Sequence, residues 1–512
     1  LYRMNNFKYL FLFSFLLSNG IHDISSQNTG QLWELRLNHE FSNLKNKRSV
    51  EYHLDEKKLI STLTRSPLIN KKERSDILMD FPSPEGKFIN FEMYESPVMP
   101  QYLSGKYPMI KTYTGRGLDN PNDRVSITIK NNEIKGLILC RYGRIFIERI
   151  PNKEGFYRIS YSENQLDPLK KKNDYSGFDY DCMIIRTESE NKQLRDRDFP
   201  YCVGEPEPCY TIGDTLVTFR YAAILTAEAN NSVADGTVEG GLAWIAAMAN
   251  QVNLVWIREL SFKLELIENN DMLIYTDANP TPELFTSHDM YTELPRVLIH
   301  LTEVIGPGGF GVSQDNLLWE YGAVFNTGYG GGLAYVPGST SANLPSYAVH
   351  IHEIGHNLGS GHNCTSENGW RSSFGGTAMC NRGNTLPGSY GDQYSSHTID
   401  IAIRYQQDMF AYNNYDYQRG WIREPTGNTV PGVMVPESGF YIPKETPFVL
   451  EGSAIDSDEE DLLTYSWEQN DASDISFSPP DFPPETGPLF CSIDASEEGK
   501  KRYFPYMESV LE

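Results

Sequence analysis

The 512-residue chain predicts a multidomain protein: a β-rich segment over residues 28–200, an α/β domain over 201–412, a linker over 413–440 and a partial β-sandwich over 441–512. Three observations carry this reading. The chain is too long to be organised around one hydrophobic core. Between residues 210 and 412, long helical stretches with an apolar stripe alternate with short apolar runs, the pattern of helices layered on a sheet. Outside that window, short alternating runs are divided by turn residues and carry no long helical stripe.

Taken in order, the N-terminus reads as an export signal over residues 1–27. Lys8 follows Met4, and the apolar run "LFLFSFLLS" (Leu10–Ser18) leads into polar sequence. The run is about half the length of a bilayer span, so the chain is expected to be secreted, with no stable membrane span. Strands are expected at Arg124–Lys130 and within Ile134–Ile150, and residues 163–200 read as an exposed, protease-sensitive connector. In the α/β domain, Leu216–Leu225 is a buried strand. Val238–Leu260 is a long helix with a stripe through Leu242, Ile245, Met248, Ala249 and Val252. Ser261–Ile267 alternates as a half-buried strand should. Asp271–Thr276 and Gly322–Asn326 read as further strands, Gly331–Gly338 as a short edge strand ending at Pro337, and His397–Tyr412 as a closing helix. Thr446–Gln469 places short strands around an acidic turn and resembles the start of an Ig-type sandwich of the PKD or cadherin kind.

Charge divides the chain. Residues 28–200 carry a net +4 and residues 201–512 a net −29; this reads either as the solvated acidic surface common in exported proteins or as a basic front segment that docks on an acidic rear one. The same imbalance excludes nucleic acid as a partner of the rear segment, since phosphates would be repelled. Seven cysteines fit an oxidising compartment, and their odd number points to a free thiol or to a partner beyond residue 512.

The densest signal is "HIHEIGHNLGSGH" at residues 350–362, which holds four of the ten histidines. On a helix, His352 and His356 are one turn apart and share a face, a spacing that lets two imidazoles reach one metal. Glu353 flanks them, placed to accept a proton from water at the metal. Gly359 permits a left-handed turn that brings His362 back as a third ligand. Three imidazoles leave one zinc position open, as in catalytic rather than structural sites. His350 points elsewhere and reads as an ordinary packed histidine.

His352, Glu353, His356, Gly359 and His362 together resemble the metzincin zinc-peptidase signature, and "HEIGHNLGSGH" resembles its reprolysin (adamalysin-like) branch. The resemblance implies a twisted, mostly parallel sheet with an antiparallel edge strand and a long active-site helix. It implies one catalytic Zn2+ on the three histidines, and Glu353 as general base. It implies Met379, in "GGTAMCNRG", as the Met-turn residue beneath the metal. Peptide or protein substrate would lie antiparallel to the edge strand Gly331, Gly332, Leu333, Ala334, Tyr335 and Val336, with Thr385–Pro387 walling the specificity pocket. Two positions depart from the family pattern. Asn363 stands where reprolysins usually have Asp, and Asn381 stands where astacin-type members have a metal-reaching Tyr. Cys364 and Cys380 flank the site, and a local disulfide between them is expected in an exported protein.

The family likeness also implies that residues 28–200 are a propeptide which inhibits its own enzyme, so that the chain is made as a zymogen. Cys182 and Cys202 are candidates for a thiolate switch on the zinc. The alternative is that Cys202 pairs with Cys209 and Cys182 with Cys140. The acidic turn Asp456–Asp461 has the carboxylates for Ca2+, and a solvated turn is the other reading. At the level of function, the competing reading is a catalytically silent extracellular adhesion or binding protein built on the same scaffold. An intact Glu353 argues against it, because a silent scaffold has no need of the base.

Overall fold

The structure is a computed structural model. It describes residues 32–35, 49–69, 74–161, 212–282, 310–316, 321–325, 332–334, 336–337, 346–358, 360, 377–379, 393–411, 421–434, 441–443, 446–459, 461–468 and 495–504. The signal expected at 1–27 and the connector at 163–200 lie outside these residues.

The N-terminal region is one antiparallel sheet. Its strands are β1 (Trp33–Leu35), β2 (Ser49–Leu54), β3 (Leu78–Pro82), β4 (Phe88–Glu95), β5 (Ile110–Gly117), β6 (Arg124–Lys130), β7 (Glu133–Cys140), β8 (Gly143–Arg149) and β9 (Phe156–Tyr161), in the spatial order β1-β2-β9-β8-β7-β6-β5-β4-β3. The run Ile134–Ile150 is a hairpin, reversed at Arg141 and Tyr142 with Gly143 at φ 119°. The β6–β7 turn holds Asn131 at φ 56°, a conformation that asparagine tolerates better than most residues. The period-2 alternation sorts the side chains onto two faces. Val125, Ile127 and Ile129 join Tyr113, Ile138 and Ile147 in a core of the sheet's own. Leu137 and Leu139, pointing the other way, join a second core that belongs to the C-terminal half. Both faces of β6 are therefore covered, and Val125 to Ile129 are buried without a break.

The C-terminal half is built on β10 (Thr215–Leu225), whose eleven residues pair along both edges. One edge takes β11 (Phe262–Leu266) in parallel. The other takes β12 (Phe310–Asn316) in parallel along Tyr221–Leu225, and β16 (Trp421–Pro425) antiparallel along Thr215–Phe219. Beyond β12 the order continues antiparallel through β13 (Tyr321–Phe325) to β14 (Gly332–Ala334), while β15 (Val336–Pro337) pairs with β12 in parallel. Among the described strands the sheet is thus evenly mixed rather than mostly parallel. β12 and β16 went unread in the sequence, and β16 lies inside the stretch taken as linker.

Val238–Leu260 forms the expected helix, here called the central helix. Thr237 caps its start, its hydroxyl accepting from Gly240 N–H at 2.9 Å, and Ser261 ends it in the left-handed region at φ 56°. Every residue from Gly240 to Trp256 is buried. Its Asn253 amide bonds both backbone groups of Leu264, at 2.7 and 3.0 Å, and so closes the outer edge of β11.

Asp271–Thr276 is not the strand expected. Asn270–Leu273 is a 3-10 turn. The cause is Asn270, whose side chain accepts from Ala223 N–H at 2.8 Å and donates to Ala223 carbonyl at 3.1 Å. An amide side chain takes up the backbone groups that a neighbouring strand would have used.

In the C-terminal segment, β17 (Gly432–Met434) pairs with β19 (Ser453–Ile455), and β18 (Phe448–Glu451) pairs with β20 (Lys501–Phe504). Phe448 stacks on Phe504 with ring centroids 4.9 Å apart. In the acidic turn, Asp456 accepts from the N–H of Asp458, Asp458 from the N–H of Thr429, and Asp461 from Arg116.

Candidate metal centre

The histidine-rich string lies on the helix Ser346–Asn357. Tyr347, Ile351, Ile354 and Leu358 are buried in the core shared with the central helix. At about 100° per residue these four positions form one narrow stripe, and positions 352 and 356 fall on the far side, about 40° apart. Position 353 is next to them around the helix. The apolar stripe therefore sets which side of the helix carries the two histidine positions. His350 falls on the flank of the stripe. It is buried against Trp244, with ring centroids 5.9 Å apart, as a packed histidine should be.

His352 is anchored from below. Its Nδ1–H donates to the Ala378 carbonyl at 2.6 Å. A carbonyl can only accept, so the ring proton sits on Nδ1 and Nε2 is the lone-pair nitrogen. Burial lowers the imidazole pKa to about 4, and the bond to Ala378 opposes this only in part. The ring is thus neutral across the physiological range, the form that ligates metal. Ala378 is followed by Met379, which is fully buried beneath the helix.

The helix approaches Met379 closely because residue 355 is glycine. A Cβ there would overlap the Met379 sulfur and lie 3.4 Å from Tyr394 Cε1. Tyr394 fixes the same turn from another side. Its hydroxyl donates to the Ile351 carbonyl at 2.8 Å and accepts from Trp256 Nε1 at 2.9 Å, and its N–H donates to Glu259 at 3.1 Å. Burial raises the phenol pKa, so it remains a donor. The end of the central helix is thereby tied to the carbonyl that precedes His352. Tyr394→Phe is expected to lower stability by about 1–3 kcal/mol, because a buried indole N–H loses its acceptor. Urea unfolding of the variant beside the parent checks this, and equal midpoints would refute it.

Of the residues expected at the site, His352 and Met379 have described side chains, and the backbone of Glu353 and His356 is helical. His362, Cys364, Cys380, Cys182 and Cys202 lie outside the described residues, as do Gly331, Tyr335 and Thr385–Pro387. Gly332, Leu333 and Ala334 form β14, at the end of the strand order, and Val336 belongs to β15. Among the described residues, no three His, Cys, Asp or Glu side chains converge as a metal site. The residues that are described fit a zinc ion by their chemistry: a buried neutral imidazole with its tautomer set by a backbone carbonyl, above an apolar methionine. Cys140, set against the possibility of pairing with Cys182, is a free thiol that donates to Gly143 carbonyl at 3.3 Å, and burial raises its pKa to about 12.

Sequence reasoning missed Ala378, Tyr394, Trp256 and Glu259. A backbone carbonyl leaves no mark in a sequence, and Tyr394 sits in "GDQYSSH" with no motif around it. Gly355 stood in plain view between the histidines, but only the position of Met379 gives it meaning.

The family model described as metallo-peptidase family M12B, reprolysin-like, matches residues 218–420. The chain carries a reprolysin-like metallopeptidase domain in its C-terminal half. The matched span begins within β10, takes in the central helix, the histidine helix and Met379, and ends just before β16. No curated protein sequence matches the chain. The reprolysin-like domain is preceded by the large β-sheet of residues 33–161, and the family in general uses zinc to cut peptide bonds.

Proposed function

We propose that the chain is a secreted zinc-dependent metalloendopeptidase made as a zymogen. The observation that carries this is His352, held as a neutral, correctly protonated imidazole by Ala378 above buried Met379. It stands within the string H-E-x-x-H-x-x-G-x-x-H of a reprolysin-like domain. His352, His356 and His362 would hold the metal. When bound, zinc supplies a Lewis acid that polarises the scissile carbonyl and acidifies water. Glu353 takes the proton of the attacking water and passes it to the leaving amine. The Ala378 carbonyl keeps the His352 ring from rotating, and Met379 keeps the floor of the site apolar. Substrate backbone would add to the sheet along β14, with Gly332 and its neighbours offering N–H and C=O groups. Residues 28–200 act as the propeptide, with Cys182 or Cys202 as the thiolate that occupies the open metal position.

The test is hydrolysis of casein by the secreted protein after cleavage within residues 163–200. Activity that a chelator removes and added zinc restores is the expected result. Hydrolysis that persists in chelator would contradict the proposal, as would a zinc-loaded, cleaved protein with no activity.

A further inference from the structure

The central helix poses a packing question. Seventeen consecutive residues, Gly240 to Trp256, are buried, which requires cover on every side of the helix. The sheet of β10 and β11 covers one side and the histidine helix another. The third wall is the N-terminal sheet. Val98, Met99, Leu103, Ile110, Leu137 and Leu139 share a single apolar core with the central helix. At the middle of this seam Asn250 Nδ2 donates to the strand carbonyls of Tyr113 at 3.1 Å and Ile127 at 3.3 Å. The Leu266 N–H of β11 donates to the Val98 carbonyl at 2.7 Å, so the two halves also share a backbone bond. Phe146 packs on Tyr347 of the histidine helix at 6.1 Å between centroids.

Charge follows the same seam. Lys106 pairs with Asp271 and Lys130 with Asp235, each basic group coming from the N-terminal segment and each acid from the C-terminal half. Arg116 pairs with Asp461 at 2.6 Å and Asn122 donates to the Leu462 carbonyl at 3.0 Å, which fastens the C-terminal segment to the same sheet. The opposed charges read from the sequence therefore meet in the fold.

We propose that residues 32–161 are a permanent structural half of this protein, which stays bound to the reprolysin-like half when the chain between them is cut. The cut form would then be a two-piece, non-covalent unit. The N-terminal sheet, the body of the proposed propeptide, is then also a wall of the central helix and does not diffuse away on cleavage.

The test places a site-specific protease sequence between residues 162 and 211 of the full chain. The protein is nicked to completion, shown on a non-reducing denaturing gel to be in two unlinked pieces, and passed over a gel-filtration column. Both pieces are expected in one peak at the position of the uncut protein, with the thermal midpoint within a few degrees of it. Elution of the 32–161 piece on its own would overturn the proposal, whatever becomes of the remainder. A second arm carries Lys106→Glu and Lys130→Glu, changes at side chains that belong to neither half's apolar core. The nicked double variant should come apart at lower urea than the nicked parent. A control with Lys153→Glu, whose partner Glu51 lies in the same half, should not. Equal behaviour of variant and control would remove these ion pairs from the seam. The readout is assembly, so it stands whether or not the peptidase reading does.

Discussion

Glu353→Ala is expected to lower the rate of peptide hydrolysis by at least about 10²-fold and to leave zinc content unchanged. Glu353 lies on the histidine helix beside the two ligand positions, on the side away from the buried stripe of Tyr347, Ile351, Ile354 and Leu358. Because the position is off the buried stripe, the fold is expected to hold, which the metal analysis and a thermal midpoint check. On the proposed reading the three histidines would still hold the metal, which would still supply its Lewis acidity to water. What is lost is the group that receives the proton as the water attacks and delivers it to the departing amine. The loss should therefore fall on kcat, with KM little changed. Steady-state kinetics on a fluorogenic peptide, with metal analysis of the same sample, separates this from the competing silent-scaffold reading. Unaltered kcat in a zinc-replete variant would remove Glu353 from the mechanism.

The second large effect is expected at a residue with no chemistry of its own. Gly355→Ala places a methyl group where the Met379 sulfur lies, 3.2 Å from Met379 Cε and 3.4 Å from Tyr394 Cε1. Met379 is flexible, but it is fully buried and has little room to move. Its displacement would carry Ala378 along, and with it the carbonyl that orients His352 at 2.6 Å. Overpacking of this kind costs about 1–3 kcal/mol of stability. Loss of a partner that orients a ligand weakens metal binding by about 10- to 100-fold. Zinc competition against a chromogenic chelator, alongside urea unfolding, reads both effects. A variant with parental zinc affinity and midpoint would show that the Met379 floor does not position His352.

How much of this was legible in the sequence differs by element. The central helix was legible to the residue, because Thr237 and Ser261 bound a long apolar run with polar caps. Strands β6 and β11 were legible because their alternation survives in the sequence, and β10 because it is a largely apolar run. The turn at Asn270 was not, because a side-chain amide replaced a strand, and amide substitution has no periodic signature. β12 reads "FGVSQDN" and β16 reads "WIREP". Both draw their place from partners far along the chain, and neither is apolar enough to announce itself. At the site, the histidine spacing was legible because ligand geometry demands it. The support beneath it comes from Ala378, Tyr394 and Trp256, which converge from three separate elements, and only the fold brings them together.

X-ray absorption at the zinc edge tests the central claim most directly. The account predicts one zinc per chain bound by three imidazole nitrogens at about 2.0–2.1 Å, with one imidazole lost in His362→Ala. A shell with two imidazoles in the parent, or a His362→Ala spectrum identical to it, would contradict it.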